Sequence, residues 1–380
     1  MNFLAGKDLI SARILRKIHR GKRLWMLPSR YVRAMFGSLI LILVIGCGQL
    51  PAQVRVKCTQ LPAASQQIAL GMFGPEDLAL DVAGERPRLI VSSQDRRALK
   101  TPGKIFQVDL VTHEINEMLR REEPDELIKS FHPHGLDLAM VDDTKVLYVV
   151  VHGKEEWIVR YTVVENELVY DKTFGLRTNE ALTNPNDVDA DAVGNIYVTN
   201  SSTGKSFLLN WVKSNLFGMR TTPTLRLSAK GWESLADLGK APNGILIHGN
   251  YLLIGDSLAD TVTIHPMLSS TGQKKVLAMS MPDNMSEGPD HDVLTASHNS
   301  RLSFMLHRSG FMTAGGSIFR IADIDGSPRL NKVFVTDGAM LSAPSSAVYF
   351  NNTLYIGQVF DPFILAVPVR DLEQAHVCTK

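Results

Sequence analysis

The sequence predicts an all-β fold, a six-bladed β-propeller closed by its terminal strands, with a short helix over the channel mouth. Three observations carry that expectation. A polar phrase built on a proline recurs six times, as Gly74-Pro-Glu76-Asp77, His132-Pro-His134-Gly135, Asn184-Pro-Asn186-Asp187, Ala241-Pro-Asn243-Gly244, Met281-Pro-Asp283-Asn284 and Ala343-Pro-Ser345-Ser346. Each stands just before an apolar, strand-like run, and intervals of roughly 40 to 60 residues are those of a repeat architecture rich in short strands. Helical pattern is scarce, with one good stretch in the whole chain.

Residues 1–47 read apart from the rest. A basic lead (Arg13, Arg16, Lys17, Arg20, Lys22, Arg23, Arg30, Arg33) runs into the apolar segment 35–45. That segment is short for a bilayer-spanning helix, which needs about 20 residues, and fits a signal-peptide core. Val44-Ile45-Gly46-Cys47 closes it in the manner of a bacterial lipobox, which makes Cys47 the lipidation candidate. The alternative is an uncleaved membrane anchor. Both readings export residues 48–380, the propeller domain, and leave it membrane-anchored or periplasmic/extracellular. Of the 3 cysteines, Cys58 and Cys378 remain at the two extremes of that domain, in a compartment where disulfides persist. A Cys58–Cys378 bridge would fasten the first strand to the last; two unpaired thiols are the alternative.

Along the domain, every phrase opens a hairpin. Leu78-Ala-Leu-Asp81 turns at Ala83-Gly84 into Leu89-Ile-Val-Ser92, and Leu136-Asp-Leu-Ala139 turns at Asp142-Asp143 into Val146-Leu-Tyr-Val-Val150. Val188-Asp-Ala-Asp191 turns at Gly194-Asn195 into Ile196-Tyr-Val-Thr199, Ile245-Leu-Ile247 at Gly249-Asn250 into Tyr251-Leu-Leu-Ile254, and Ala347-Val-Tyr-Phe350 at Asn351-Asn352 into Leu354-Tyr-Ile356. Apolar runs joined by Gly, Asn or Asp turns are the hairpin signature. Further strands such as Lys104–Leu110, Trp157–Tyr161, Thr261–His265 and Ser317–Ile321 lie between the units, so four strands per unit and six units complete the propeller. Residues 206–219, with Phe207, Trp211 and Phe217 among leucines, form the helix expected over one mouth of the channel. Net charge is +1 and no basic stripe interleaves with aromatics, so no nucleic-acid partner is expected.

Five of the six phrases carry Asp, Glu, Asn or His after the proline. If one corner of each blade faces a central channel, Glu76, Asp77, Asn186, Asp187, Asn243, Asp283 and Asn284 converge from four repeats. Calcium takes six to eight oxygen ligands of that kind, whereas zinc and copper favour nitrogen and sulfur. His134 and His152 occupy the two strands of one hairpin, so a tight turn returns them to the same edge, where an imidazole pair activates water. His298 ends a strand and lines the pocket. No nucleophile elbow, P-loop or dinucleotide fingerprint is present.

These phrases, in this order, together with Gly103-Lys-Ile105, Val108-Asp-Leu110 and Ser346-Ala-Val348 through Val359-Phe360, resemble the paraoxonase or arylesterase family over roughly residues 58 to 378. The resemblance implies two calcium ions, one catalytic and one structural. It assigns Glu76, Asn186, Asn243, Asp283 and Asn284 to the catalytic ion, and Asp77, Asp187 and the main-chain carbonyl of Leu136 to the deeper one. His134 and His152 fall where the family has its catalytic histidine dyad, and His298 where it has a further pocket histidine. One departure is Ser297, where the family carries a cysteine. The implied activity is calcium-dependent hydrolysis of lactones and aryl esters, with a small-molecule substrate and with a membrane surface reached through the N-terminal anchor or lipid. A sugar lactonase of the gluconolactonase type and a non-catalytic, calcium-stabilised binding propeller are the competing readings.

Overall fold

The computed structural model describes residues 62–369, apart from 63, 85, 99–100, 154, 176–183, 202–221, 236–238 and 268–272. Cys47, Cys58, Cys378 and the expected helix at 206–219 lie outside the described residues. So does the boundary between residues 1–47 and the propeller domain.

Six sheets are arranged around a channel, antiparallel but for one added strand. Their inner strands are Pro75–Asp81, His132–Val141, Pro185–Ala190, Pro242–His248, Pro282–Glu287 and Pro344–Phe350. Each inner strand packs against the next, and the sixth returns to the first, so the ring is closed. The strand Gln66–Ala69 is the outer strand of the sixth blade, antiparallel to Phe363–Pro368. That pairing brings the start of the domain onto its last blade and leaves no seam between first and last.

Five blades have four strands, and the second has a fifth, Leu119–Arg121, added in parallel beside Glu167–Gly175. The second strand of a blade is covered on both faces by neighbouring blades, which explains runs such as Val146–Val151 with every side chain buried. Six of the hydrophobic clusters lie between successive blades: Ile90 and Ile105 against Leu136 and Leu147, for example, and Val348 and Tyr355 against Leu78 and Leu89. The core is therefore a ring of interfaces, and each blade is stabilised by both neighbours.

The recurring phrase is the opening of the inner strand itself, where the sequence reading placed it just ahead. In all six blades the register slips across it by one residue. Pro75 faces Ser93 and Asp77 faces Ser92; Pro133 faces Val151 and Leu136 faces Val149. The same slip follows Pro185, Pro242, Pro282 and Pro344. A one-residue excess on one strand is a β-bulge, which bends the strand and re-aims its side chains. Proline at the first position costs little, because the bulge leaves that part of the ladder unpaired. The polar residues are thus presented from one end of the channel.

Candidate active site in the propeller channel

The bulges set local geometry before any chemistry enters. In register, His132 and not His134 lies opposite His152. The extra residue turns His134 instead, and its Nδ1 lies 2.7 Å from Nε2 of His152. On the far side, Nε2 of His134 lies 2.8 Å from Oε1 of Glu76, brought from the first blade. Beyond His152, Nδ1 lies 2.5 Å from Oε2 of Glu156. A continuous file of four ionisable groups results: Glu76, His134, His152, Glu156.

Inter-blade bonds hold the ring of donors. Asp77 accepts from the N–H of Leu136 at 2.8 Å, and Asp187 accepts from the N–H of Ile245 at 2.9 Å. Each aspartate therefore ties its own blade to a neighbouring inner strand. Gly135 and Gly244 permit this approach, since a Cβ at either would collide with the carboxylate of Asp187 or the carbonyl of Asp283. In the sixth blade Ser345 and Ser346 both donate to the main-chain carbonyl of Glu76, at 2.5 and 2.8 Å. The phrase without acidic or amide side chains thus positions the one that carries Glu76.

Asp283 accepts from His298, whose Nε2 lies 2.9 Å from Oδ2. Phe304, on the helix Arg301–Arg308, packs against His298 with ring centroids 4.4 Å apart and the planes tilted by 40°. Glu76, Asp77, Asp187, Asp283 and Asn284 are all buried. The amide oxygens of Asn186, Asn243 and Asn284 are buried without a hydrogen-bond partner. Three blades thus present unsatisfied oxygens, each of which carries a desolvation cost until something accepts its lone pairs. No three of Asp, Glu, His and Cys converge into a ready cage among the described residues; the converging set is mixed amide and carboxylate, the donor chemistry of a hard cation.

The electrostatics agree with that demand. Burial pushes Asp77 and Asp187 well above the usual carboxylate range, and repulsion from Glu76 and Asp283 on one, and from Asp77 on the other, adds to it. Burial raises Asp283 as well. Glu76 behaves oppositely: burial would raise it, but Arg96 and His134 beside it hold its carboxyl far below the usual range. Arg96 pairs with Glu76 and donates to the Pro133 carbonyl at 3.0 Å. Burial, followed by the Arg96 charge, lowers His134 to about 4, so the imidazole is neutral at pH 7.

The structure therefore brings together Glu76, His134 and His152, ties Asp77 to Leu136 and Asp187 to Ile245, and sets Asp283 against His298. Arg96, Glu156, Ser345 and Ser346 join the site without having been expected there. Arg96 follows the second strand of its blade in Gln94-Asp95-Arg96-Arg97, outside the recurring phrase. Glu156 lies four residues beyond His152, and that short spacing across a hairpin connection was the available signal.

The family pattern of the arylesterases matches residues 95–365. The chain belongs to the arylesterase family. The match is narrower than the stretch 58 to 378 expected from the motifs, and it includes His134, His152 and the phrases of five blades. Serum paraoxonase/arylesterase 2 of Gallus gallus is 28% identical over 270 residues, 68% of this chain and 75% of that protein. Serum paraoxonase/lactonase 3 of Oryctolagus cuniculus is 25% identical over 282 residues, 70% and 77% of the two chains. Among solved structures, a gluconolactonase of Xanthomonas campestris superposes with a TM-score of 0.51 at 14% identity, covering 84% of this chain and 93% of its own. The PQQ-bound aldose sugar dehydrogenase of Streptomyces coelicolor gives 0.50 at 16% identity, covering 81% and 99%. At such identities these two share the fold with the arylesterase-family chain and nothing finer.

Proposed function

We propose that this chain is a calcium-dependent hydrolase of lactones and carboxylic esters. The observation that carries the reading is the set of three unpartnered, buried amide oxygens, Asn186, Asn243 and Asn284, from three blades of a channel that also holds Glu76 and Asp283. Those five residues would hold a catalytic ion. Asp77, Asp187 and the Leu136 carbonyl would hold a structural one, which relieves the repulsion between two buried carboxylates. Bound calcium supplies polarisation of the substrate carbonyl and stabilisation of the oxyanion that develops there.

The chain's own residues supply the proton chemistry. His134, neutral at pH 7, takes a proton from water at Nε2, and the water oxygen adds to the carbonyl carbon. The ester C–O bond then breaks, and the proton passes to the departing oxygen. His152, 2.7 Å from His134, stabilises the imidazolium formed in between. His298 and Phe304 line the wall beside Asp283.

The reading extends to location. The basic lead, the apolar segment 35–45 and Cys47 favour export, with contact to a membrane surface through the N-terminal anchor or a lipid on Cys47. Among the described residues no helix is long and apolar enough to cross a membrane. Incorporation of a fatty-acid analogue by the wild-type chain and its loss in Cys47→Ala would establish lipidation; no incorporation in either would leave the anchor reading.

The deciding experiment measures hydrolysis of aliphatic lactones, sugar lactones and aryl esters by the purified chain, with and without chelator, beside His134→Gln and Asn284→Ala. Turnover abolished by chelation and restored by calcium is expected. Full turnover in excess chelator would sink the proposal, and turnover confined to sugar lactones would move the chain to the gluconolactonase type.

A further inference from the structure

The histidine pair has a direction, and the groups at its two ends compete to set it. Three contacts join the file: Glu76 Oε1 to His134 Nε2 at 2.8 Å, His134 Nδ1 to His152 Nε2 at 2.7 Å, and His152 Nδ1 to Glu156 Oε2 at 2.5 Å. Each needs one hydrogen, but two neutral imidazoles carry only two ring N–H groups between them. One contact must go without.

If His152 carries its hydrogen on Nδ1, it donates to Glu156, its Nε2 accepts from His134 Nδ1–H, and the free lone pair emerges at His134 Nε2. If instead His134 carries its hydrogen on Nε2, it donates to Glu76, every bond reverses, and a lone pair is left pointing at the Glu156 carboxylate. The first leaves a base at His134 Nε2, its lone pair facing Glu76 Oε1 at 2.8 Å; the second leaves none on His134. Glu76 is already engaged by Arg96, and it belongs to the oxygen set proposed for the cation, so its remaining pull on the His134 hydrogen is weakened. Glu156 carries no such commitment among the contacts described for it, and it lies on the outward side of His152.

We infer that Glu156 is a positioning residue: it holds His152 as the Nδ1–H tautomer, and through His152 it turns the lone pair of His134 Nε2 toward the attacking water. The carboxylate touches neither substrate nor cation. It acts as a carboxylate acts on a metal-bound or catalytic imidazole, by fixing which nitrogen bears the hydrogen.

This inference rests on His134 as the base, and the experiment separates the two. In the full-length, calcium-loaded protein, Glu156→Gln and Glu156→Ala should lower kcat by about 10- to 100-fold, the usual cost of removing such a partner, with KM within about twofold. Glu156→Asp should recover part of the loss. In the calcium-loaded wild type, ¹⁵N imidazole shifts should show His152 protonated at Nδ1 and unprotonated at Nε2; Glu156→Ala should mix the two tautomers. A wild-type His152 protonated at Nε2 would overturn the inference even if the variants fail to fold. Wild-type kcat in both Glu156 variants, with His134→Gln inactive, would remove Glu156 and leave the base in place. Full activity in His134→Gln would remove the base itself.

Discussion

His134 meets two opposing demands: Glu76 at 2.8 Å would raise its basicity, while burial and the Arg96 guanidinium depress it. Depression wins, to about 4. The imidazole is therefore unprotonated at neutral pH, and the acid limb of kcat/KM should lie well below the 6.5 of an ordinary histidine. Arg96→Met removes one of the depressing charges and should move that limb upward; a limb already at 6.5, or unmoved in the variant, would refute the account. The same shift has a stability consequence. A histidine whose folded pKa is depressed stabilises the fold above its unfolded value and loses that contribution as pH falls from about 6.5 to about 4. His134 itself was legible from its place in the recurring phrase. Arg96 was not, because a basic pair after a strand has no period to distinguish it from a solvated surface.

The bulge at the start of every inner strand is the element on which the site depends, and its glycines are the most exposed to mutation. Gly135→Ala and Gly244→Ala force a Cβ against Asp187 or Asp283 of the adjoining blade. Each should cost about 1–3 kcal/mol in urea unfolding, as overpacking does, and should weaken calcium binding by isothermal titration. Unchanged calcium affinity in both would mean that the inter-blade spacing there does not govern the ring of donors. The sixth blade makes the converse point. Ser345 and Ser346 look like a phrase emptied of donors, yet both hydroxyls hold the carbonyl of Glu76. The double substitution Ser345→Ala/Ser346→Ala leaves that buried carbonyl short of partners, a loss of about 1–3 kcal/mol, and chemical denaturation of the double variant measures it.

The closed ring makes the donor set and global stability one property. Asp77, Asp187 and Asp283 have folded pKa values raised above the ordinary 3.8, by burial first. Groups of that kind favour the folded state while protonated and oppose it as pH rises through their unfolded value. A bound cation offsets the repulsion where it is greatest. At one fixed calcium concentration the gain in Tm should therefore be larger at pH 7.5 than at pH 5, reaching about 4 kcal/mol of stabilisation where that concentration is a thousand-fold above Kd; an equal gain at both pH values would contradict the electrostatic reading. The strand Gln66–Ala69 closes the sixth blade, and deleting it should expose the edge of Phe363–Pro368 and promote aggregation, read by light scattering.

Repeat count, strand content and the polar residues that open each inner strand could be read from the chain, because a six-fold recurrence of a proline phrase before apolar runs has one economical architecture. The hairpin placing His134 near His152 was legible for the same reason. What the chain did not show is how that pairing is made: simple alternation sets His132 opposite His152, and the bulge turns His134 onto it. Nor could the chain alone show that Glu156, Arg96 and two serines complete the file and the ring. Those contacts join residues such as Glu76 with Ser345 and Arg96 with Pro133 across blade boundaries. Local sequence determines what each blade presents; closure of the ring decides which groups face one another.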